Sequence, residues 1–337
     1  DTLNKIREKR DIVMIDQRGT GKSNKLACPI DENMDLNAEL DLEYVAEQTT
    51  ICRDQLQADL RFYTTDIAMS DYNQVRAAMG YEQINIMGVS YGTRAAQVYL
   101  RKYPETVRSV VLDSVVPMQL ALGQDHAPML DAALAKVFDD CYNNEQCNDS
   151  FGGSLNQLNA LAAELRKEAR WVIIPDPVIG KDREIRMSAE TLAVAIRFLT
   201  YASESQALLP ILIDEAIATG SLERLAAQAL LVMNGLTDVV ARGMELSVIC
   251  SEDYPLIDTN VDHSDTLLGS IFLKSLETQC DLWPRGEIAQ DFRNPVVSDL
   301  PVLLLSGERD PVTPPHYACL LYTSPSPRDQ RGSGMAA

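Results

Sequence analysis

Short apolar runs alternate with helix-period stretches through the first third of the chain. Asp11–Asp16 (DIVMID), Ile84–Val89 and Val107–Val116 are rich in β-branched residues and bounded by turn residues, which predicts buried strands. Leu36–Ala58 has a helical composition with weak periodicity. Thr65 is placed to cap a helix in which Ala68, Tyr72, Val75 and Met79 recur at helical spacing before Gly80. Gly92, Ala95, Ala96 and Tyr99 line one face of another helix, which stops before Pro104. Strands alternating with helices predict a doubly wound, mostly parallel sheet covered on both faces. From Pro117 to about Asn294 helical patterns take over, with apolar stripes at Leu130, Ala133, Leu134 and Val137 and at Leu158, Leu161, Ala162 and Leu165. Pro301–Ser306 (PVLLLS) then restores the strand signature. The pattern predicts a sheet domain in two parts, residues 1–116 and 295–318, with a helical cap inserted over 117–294.

Composition narrows the partners. The 30 Lys+Arg against 49 Asp+Glu give a net charge of −19, which repels a phosphate backbone and argues against nucleic acid. No apolar run approaches the roughly 20 residues of a membrane span, so no membrane partner is expected, and the first residues carry no apolar core of a signal peptide. The chain opens on Asp1 rather than Met and is read as a fragment. Residues Cys319–Asp329 (CLLYTSPSPRD) resemble the conceptual translation of a transposase-type sequencing adapter, so 319–337 is read as a non-native tail.

Setting that tail aside leaves six cysteines, Cys28, Cys52, Cys141, Cys147, Cys250 and Cys280, from the seven of the whole chain. They fall into local pairs, and nearest-neighbour bridging is the simplest of the possible connectivities. Such bridges suggest an oxidising compartment, with six buried free thiols as the alternative. With no CxxC, and with the histidines placed away from these cysteines, no metal is expected.

Gly88-Val89-Ser90-Tyr91-Gly92 is a GxSxG between a predicted strand and a predicted helix. In a turn that tight Gly88 and Gly92 are expected to lack side chains so that the Ser90 hydroxyl is pushed out above the sheet. The following helix directs its first N–H groups to the same place, and the N–H of Tyr91 becomes a candidate oxyanion donor. An acid is expected in a loop after a later strand, and Asp310 follows PVLLLSGER with the stiff PVTPP behind it. The base is harder to find. His126 and His263 precede the acid, and His316 follows it by only six residues.

These residues carry a family resemblance. IDQRGTGKS after the first strand, GVSYGT at the turn, VRSVVLDSVVP, ICSED and CDLWP in the cap and SGERDPVTPP around the acid resemble the tripeptidyl aminopeptidase-like and prolyl aminopeptidase-like serine hydrolases. The resemblance spans Asp11 to Ala318 and implies an α/β-hydrolase core with a helical cap, export to the periplasm or outside the cell, no cofactor, and removal of residues or short peptides from a free N-terminus. It assigns the nucleophile to Ser90 and the acid to Asp310. A Gly-rich oxyanion loop is expected upstream of DIVMID and a catalytic histidine downstream of Ala318, so the chain is read as truncated at both ends and nearly inert alone. For the substrate's ammonium, Glu252 and Asp253 beside Cys250 are the candidates in the cap.

Three other functions compete. Arg18–Ser23 invites comparison with a phosphate-binding loop, yet Asp16 stands where that motif needs its first glycine. An esterase or lactonase would use the same serine chemistry. A hydrolase-fold protein that only binds is the third.

Overall fold

The computed structural model describes residues 3–29, 37, 40–151, 155–176 and 180–323. The elements begin with α1 (Asn4–Arg7), α2 (Leu42–Gln55), α3 (Thr65–Ala78), β1 (Ile84–Val89), α4 (Tyr91–Lys102) and β2 (Val107–Asp113). There follow α5 (His126–Tyr142), α6 (Glu145–Phe151), α7 (Leu155–Lys167), β3 (Arg170–Pro175), β4 (Asp182–Met187), α8 (Ala189–Leu199) and α9 (Ser203–Gln206). The chain continues through α10 (Leu209–Thr219), α11 (Glu223–Val239), α12 (Arg242–Glu252), α13 (Ile271–Leu282), β5 (Val302–Leu305) and α14 (Pro315–Thr323).

β1, β2 and β5 form a parallel sheet in that order, with Val89 level with Asp113 and Asp113 level with Leu305. One face is covered: Val110 and Leu112 pack with Ala95, Ala96, Tyr99 and Met69 from α3 and α4. Helix α4 is buried all round from Thr93 to Leu100, Arg94 and Gln97 included, because it lies between the sheet and the segments that follow β2. The predicted strands at Ile84 and Val107 and the PVLLLS strand are therefore present. Asp11–Asp16 is not a strand. It runs as irregular chain, held by Tyr72, whose hydroxyl donates to the Ile15 carbonyl, and by Tyr81, which donates to Asp11. Among the described residues no ladder pairs with it, and its Met14 is exposed.

The two predicted stripes are buried on α5 and α7, and all of their residues but Ala133 lie in a core shared with α8, α10 and α11. That core also holds an antiparallel hairpin, β3–β4, which the helical reading of 117–294 passed over. Val172, Ile174, Ile185 and Met187 point into it, while Trp171 and Ile173 face out, a period of two rather than 3.6. Helices α12 and α13 pack elsewhere. Leu246, Cys250, Leu276, Cys280 and Trp283 form a cluster with Leu26, Cys52 and Leu60 beside the sheet.

All three local cysteine pairs are bridged: Cys28–Cys52, Cys141–Cys147 and Cys250–Cys280. Two of these disulfides lie in the α12–α13 cluster, where they tie α2 to residue 28 and α12 to α13. Loop-closure entropy scales with the residues enclosed, and the separations here are 30 for Cys250–Cys280 and 6 for Cys141–Cys147. Replacing both cysteines of the first pair by Ala is expected to lower the unfolding free energy by about 3–4 kcal/mol, against about 2 kcal/mol for the second. Urea denaturation of the two double variants checks this, and equal losses would contradict it.

Candidate active site

The sharpest bend in the backbone lies between β1 and α4. Ser90 has φ 53° and ψ −123°, a conformation that costs a residue other than glycine about 1–3 kcal/mol. Its N–H donates to the Asp113 carbonyl at 2.9 Å, and its carbonyl accepts from the N–H and hydroxyl of Thr93. Thr93 Oγ1 in turn accepts from Val116 N–H, so the bend is fastened to the segment leaving β2. A β-carbon on residue 88 would collide with the Gly92 carbonyl, as the sequence pattern predicts. Gly92 differs: a β-carbon there meets nothing, so only one of the two glycines is required by space.

Ser90 is exposed, and the N–H of Tyr91, the first helical residue of α4, has no acceptor within the helix. Because β1, β2 and β5 are parallel, Ser90 and the Asp310 turn lie at the same edge of the sheet. The ends of β1 and β5 are two strand spacings apart, about 10 Å. The Asp310 carboxylate is held within its own loop: Oδ1 accepts from the N–H groups of Val312 and Thr313 at 2.8 Å, and Oδ2 from the Thr313 hydroxyl at 2.6 Å.

The three histidines are distributed differently. His126 is packed against Phe272 at 4.9 Å, and both its ring nitrogens are buried without a hydrogen bond. Burial and the nearby Arg197 push it down to about 3, so it is neutral. His263 is buried and contacts the Gln124 carbonyl through Nε2 at 3.2 Å, while His316 is exposed near the start of α14. Among the described residues no hydrogen bond joins any of them to Ser90 or Asp310.

Glu252 and Asp253 sit at the end of α12 with 0% and 1% exposure, so neither is open to a substrate in this structure. Asp253 accepts from Arg94 Nη1 at 2.7 and 2.8 Å and from Leu122 N–H at 2.7 Å, with Arg293 Nη1 at 3.7 Å. Arg94 and Arg293 both donate to the Leu120 carbonyl. The pair therefore clamps the elbow helix to the chain that leaves β2. Glu252 accepts from Thr65 N–H at 2.6 Å and from Thr65 Oγ1 at 2.8 Å. Burial pushes it up to about 7, against the Thr65 hydrogen bonds and the Arg94 charge, which pull it down. Thr65 is thus the first residue of α3 rather than its cap, which is Thr64. Arg94, Thr65 and Gln17, which donates to the Tyr91 hydroxyl at 3.1 Å, escape a reading of the sequence. The one available signal is the arginine four positions after Ser90, inside an otherwise small and apolar helix face.

The Arg18–Ser23 loop is not shaped for phosphate. Asp16 fills it, accepting from Lys22 N–H at 2.8 Å, and Arg18 is paired with Asp71. A cavity of about 720 Å³ is lined by Leu40, Asp41 and Leu42 together with Trp171, Glu184 and Arg186 of the β3–β4 hairpin, and by no residue of the elbow or the acid loop. Among the described residues no group of His, Cys, Asp and Glu is placed to hold a metal ion, and no helix is long and apolar enough to cross a membrane.

Comparison with known proteins agrees with this architecture. A family described as "alpha/beta hydrolase fold" matches residues 2–149, and one described as "TAP-like protein" matches residues 265–322. The first match contains Ser90, and the second contains Asp310 and most of α14. Cys319–Thr323, assigned from sequence to the tail, thus continue a helix whose Leu321 packs on the sheet core, while 324–337 lie outside the described residues. The serine protease Hip1 of Mycobacterium tuberculosis (strain CDC 1551 / Oshkosh) is 27% identical over 216 residues, which cover 59% of this chain and 39% of that protein. The putative hydrolase YuaR of Escherichia coli (strain K12) is 23% identical over 333 residues, 92% of this chain and 64% of its own length. Tripeptidyl aminopeptidase of Streptomyces lividans is 30% identical over 118 residues, 32% of this chain and 22% of its own length. The chain spans less than two thirds of each of these relatives.

The asymmetry of the two glycines is testable. Gly88→Ala is expected to lower the thermal midpoint by several degrees, because the collision is with backbone, whereas Gly92→Ala stays within about 0.5 kcal/mol of the parent. Calorimetry on both variants decides, and equal effects would contradict the geometry.

Proposed function

Since the chain belongs to the TAP-like α/β hydrolases, we propose that it serves a serine peptidase that releases residues or short peptides from a free N-terminus. The observation that carries this reading is the exposed Ser90 at positive φ, at the same sheet edge as the Asp310 turn. Ser90 Oγ attacks the carbonyl carbon of the scissile bond and its proton passes to a histidine base that Asp310 orients. The oxyanion accepts from Tyr91 N–H. The amine leaves with the proton, and a water molecule then hydrolyses the acyl-serine.

The base belongs to the whole protein outside the described residues in this reading, because none of the three histidines bonds to Ser90 or Asp310. The 337 residues alone would then turn over on the order of a millionfold more slowly than the whole enzyme. The names of the Mycobacterium and Streptomyces relatives support peptides as substrates, and the Streptomyces name supports release from the amino end. Three disulfides support an exported, periplasmic or secreted protein.

The test uses the full-length protein that contains these residues. A tripeptide p-nitroanilide with a free amino group is expected to be cleaved, its N-acetyl form at least tenfold more slowly, and Ser90→Ala to lose on the order of a millionfold in kcat. Equal rates for the free and acetylated substrates would refute release from a free N-terminus. Undiminished turnover by Ser90→Ala would refute the nucleophile.

A further inference from the structure

We infer that Glu252 is a positioning residue for the nucleophile turn: through Thr65 it holds the Tyr91 phenol, and with it the residue whose N–H faces the oxyanion. This rests on the serine-hydrolase reading above and gives the buried acid a role other than gripping substrate.

The connection is a continuous line of hydrogen bonds across four segments. Gln17 Nε2 donates to the Tyr91 hydroxyl at 3.1 Å, Tyr91 and Thr65 hydroxyls lie 2.7 Å apart, and Thr65 Oγ1 donates to Glu252 Oε2 at 2.8 Å. Thr65 N–H donates to the other carboxylate oxygen at 2.6 Å. A threonine hydroxyl has one proton, which Glu252 takes, so Tyr91 must donate to Thr65 and accept from Gln17. Each proton then has one acceptor. With Glu252 protonated on Oε2, its own proton points at Thr65 and the line runs the other way, with Thr65 donating to Tyr91, whose proton then has an acceptor only once the Gln17 amide turns its oxygen toward it. The carboxylate form therefore completes the line as it stands, and the acid form requires Gln17 to turn over.

The surroundings suit a group that can ionise at neutral pH. Glu252 is buried, which favours its acid form and lifts it to about 7. Arg94 from α4 favours the carboxylate, neighbouring Asp253 opposes it, and Arg293 carries the other nearby positive charge. Burial and the charge on Glu252 keep the Tyr91 phenol protonated, as its donor role requires. Hydrophobic contact adds to the hold: Met244 and Val248 of the same α12 pack with Tyr91.

The experiment measures acylation by p-nitrophenyl acetate in the full-length protein, since this ester has no ammonium to be bound. Glu252→Gln places an amide donor where the acid proton would be, and Tyr91→Phe removes the phenol while leaving the Glu252–Thr65 bonds intact. Rates are normalised to the folded fraction from urea titration. Each variant is expected to slow acylation about tenfold with KM for the ester within about twofold, and the double variant to be no slower than either single one. Unchanged ester acylation in the folded variants, including a Glu252→Gln defect confined to free-amine peptides, would overturn the proposal in favour of an ammonium site. Multiplying losses in the double variant would overturn it too. If Glu252→Gln does not fold, Tyr91→Phe decides alone: a tenfold loss supports the link and an unchanged rate removes it. A wild-type protein that acylates no faster than Ser90→Ala would instead overturn the serine-hydrolase reading, and this inference with it.

Discussion

The chain must turn from strand to helix within a single residue at Ser90, and the absence of a side chain at Gly88 is what permits it. With a β-carbon there, the Gly92 carbonyl would be displaced and the first turn of α4 would swing away from the sheet. Such a bend stores strain, so it persists only where its surroundings over-determine it. The fastenings are visible: Ser90 N–H on Asp113, Thr93 joining Ser90 to Val116, and the buried Arg94–Asp253 pair behind them. Removing one member of such a buried pair typically costs about 3–5 kcal/mol, because the other charge is left without its partner.

The end of α12 is therefore central to the bend although it lies more than 150 residues from Ser90 in sequence. Two successive acids act on α4 from different directions, Asp253 through Arg94 and Glu252 through Thr65 and Tyr91. The Cys250–Cys280 disulfide anchors the same turn to α13, and Trp283 donates to Ser247 at 3.0 Å one turn earlier. Buried charge is tolerated here because each carboxylate oxygen has a donor.

Features with a local cause were legible in the sequence. The turn chemistry of GVSYG, the strands at 84–89 and 302–305, the stripes of α5 and α7 and the pairing of neighbouring cysteines all follow from residues close together in the chain. Where the cause is distant, reading fails. Asp11–Asp16 has the composition of a strand, but strand identity depends on a partner, and none of the described ladders supplies one. Arg170–Pro175 alternates in and out, yet the signal is six residues long between strong helices. Glu252 and Asp253 read from the sequence as acids for a substrate ammonium, whereas the structure buries them on Thr65, Arg94 and Leu122, partners that no periodicity could have linked to them across such distances in the chain. Gly92 shows a different limit: the motif names it, while the space around residue 88 alone explains the bend.

The most direct measurement of the central claim is a crystal structure of the full-length protein after reaction with diisopropyl fluorophosphate. Phosphorus bonded to Ser90 Oγ, with a phosphoryl oxygen within hydrogen-bond distance of Tyr91 N–H and residue 90 still at positive φ, is the result expected. Modification at the neighbouring Ser114, which also has positive φ at a strand end, or a helical φ at Ser90, would contradict it.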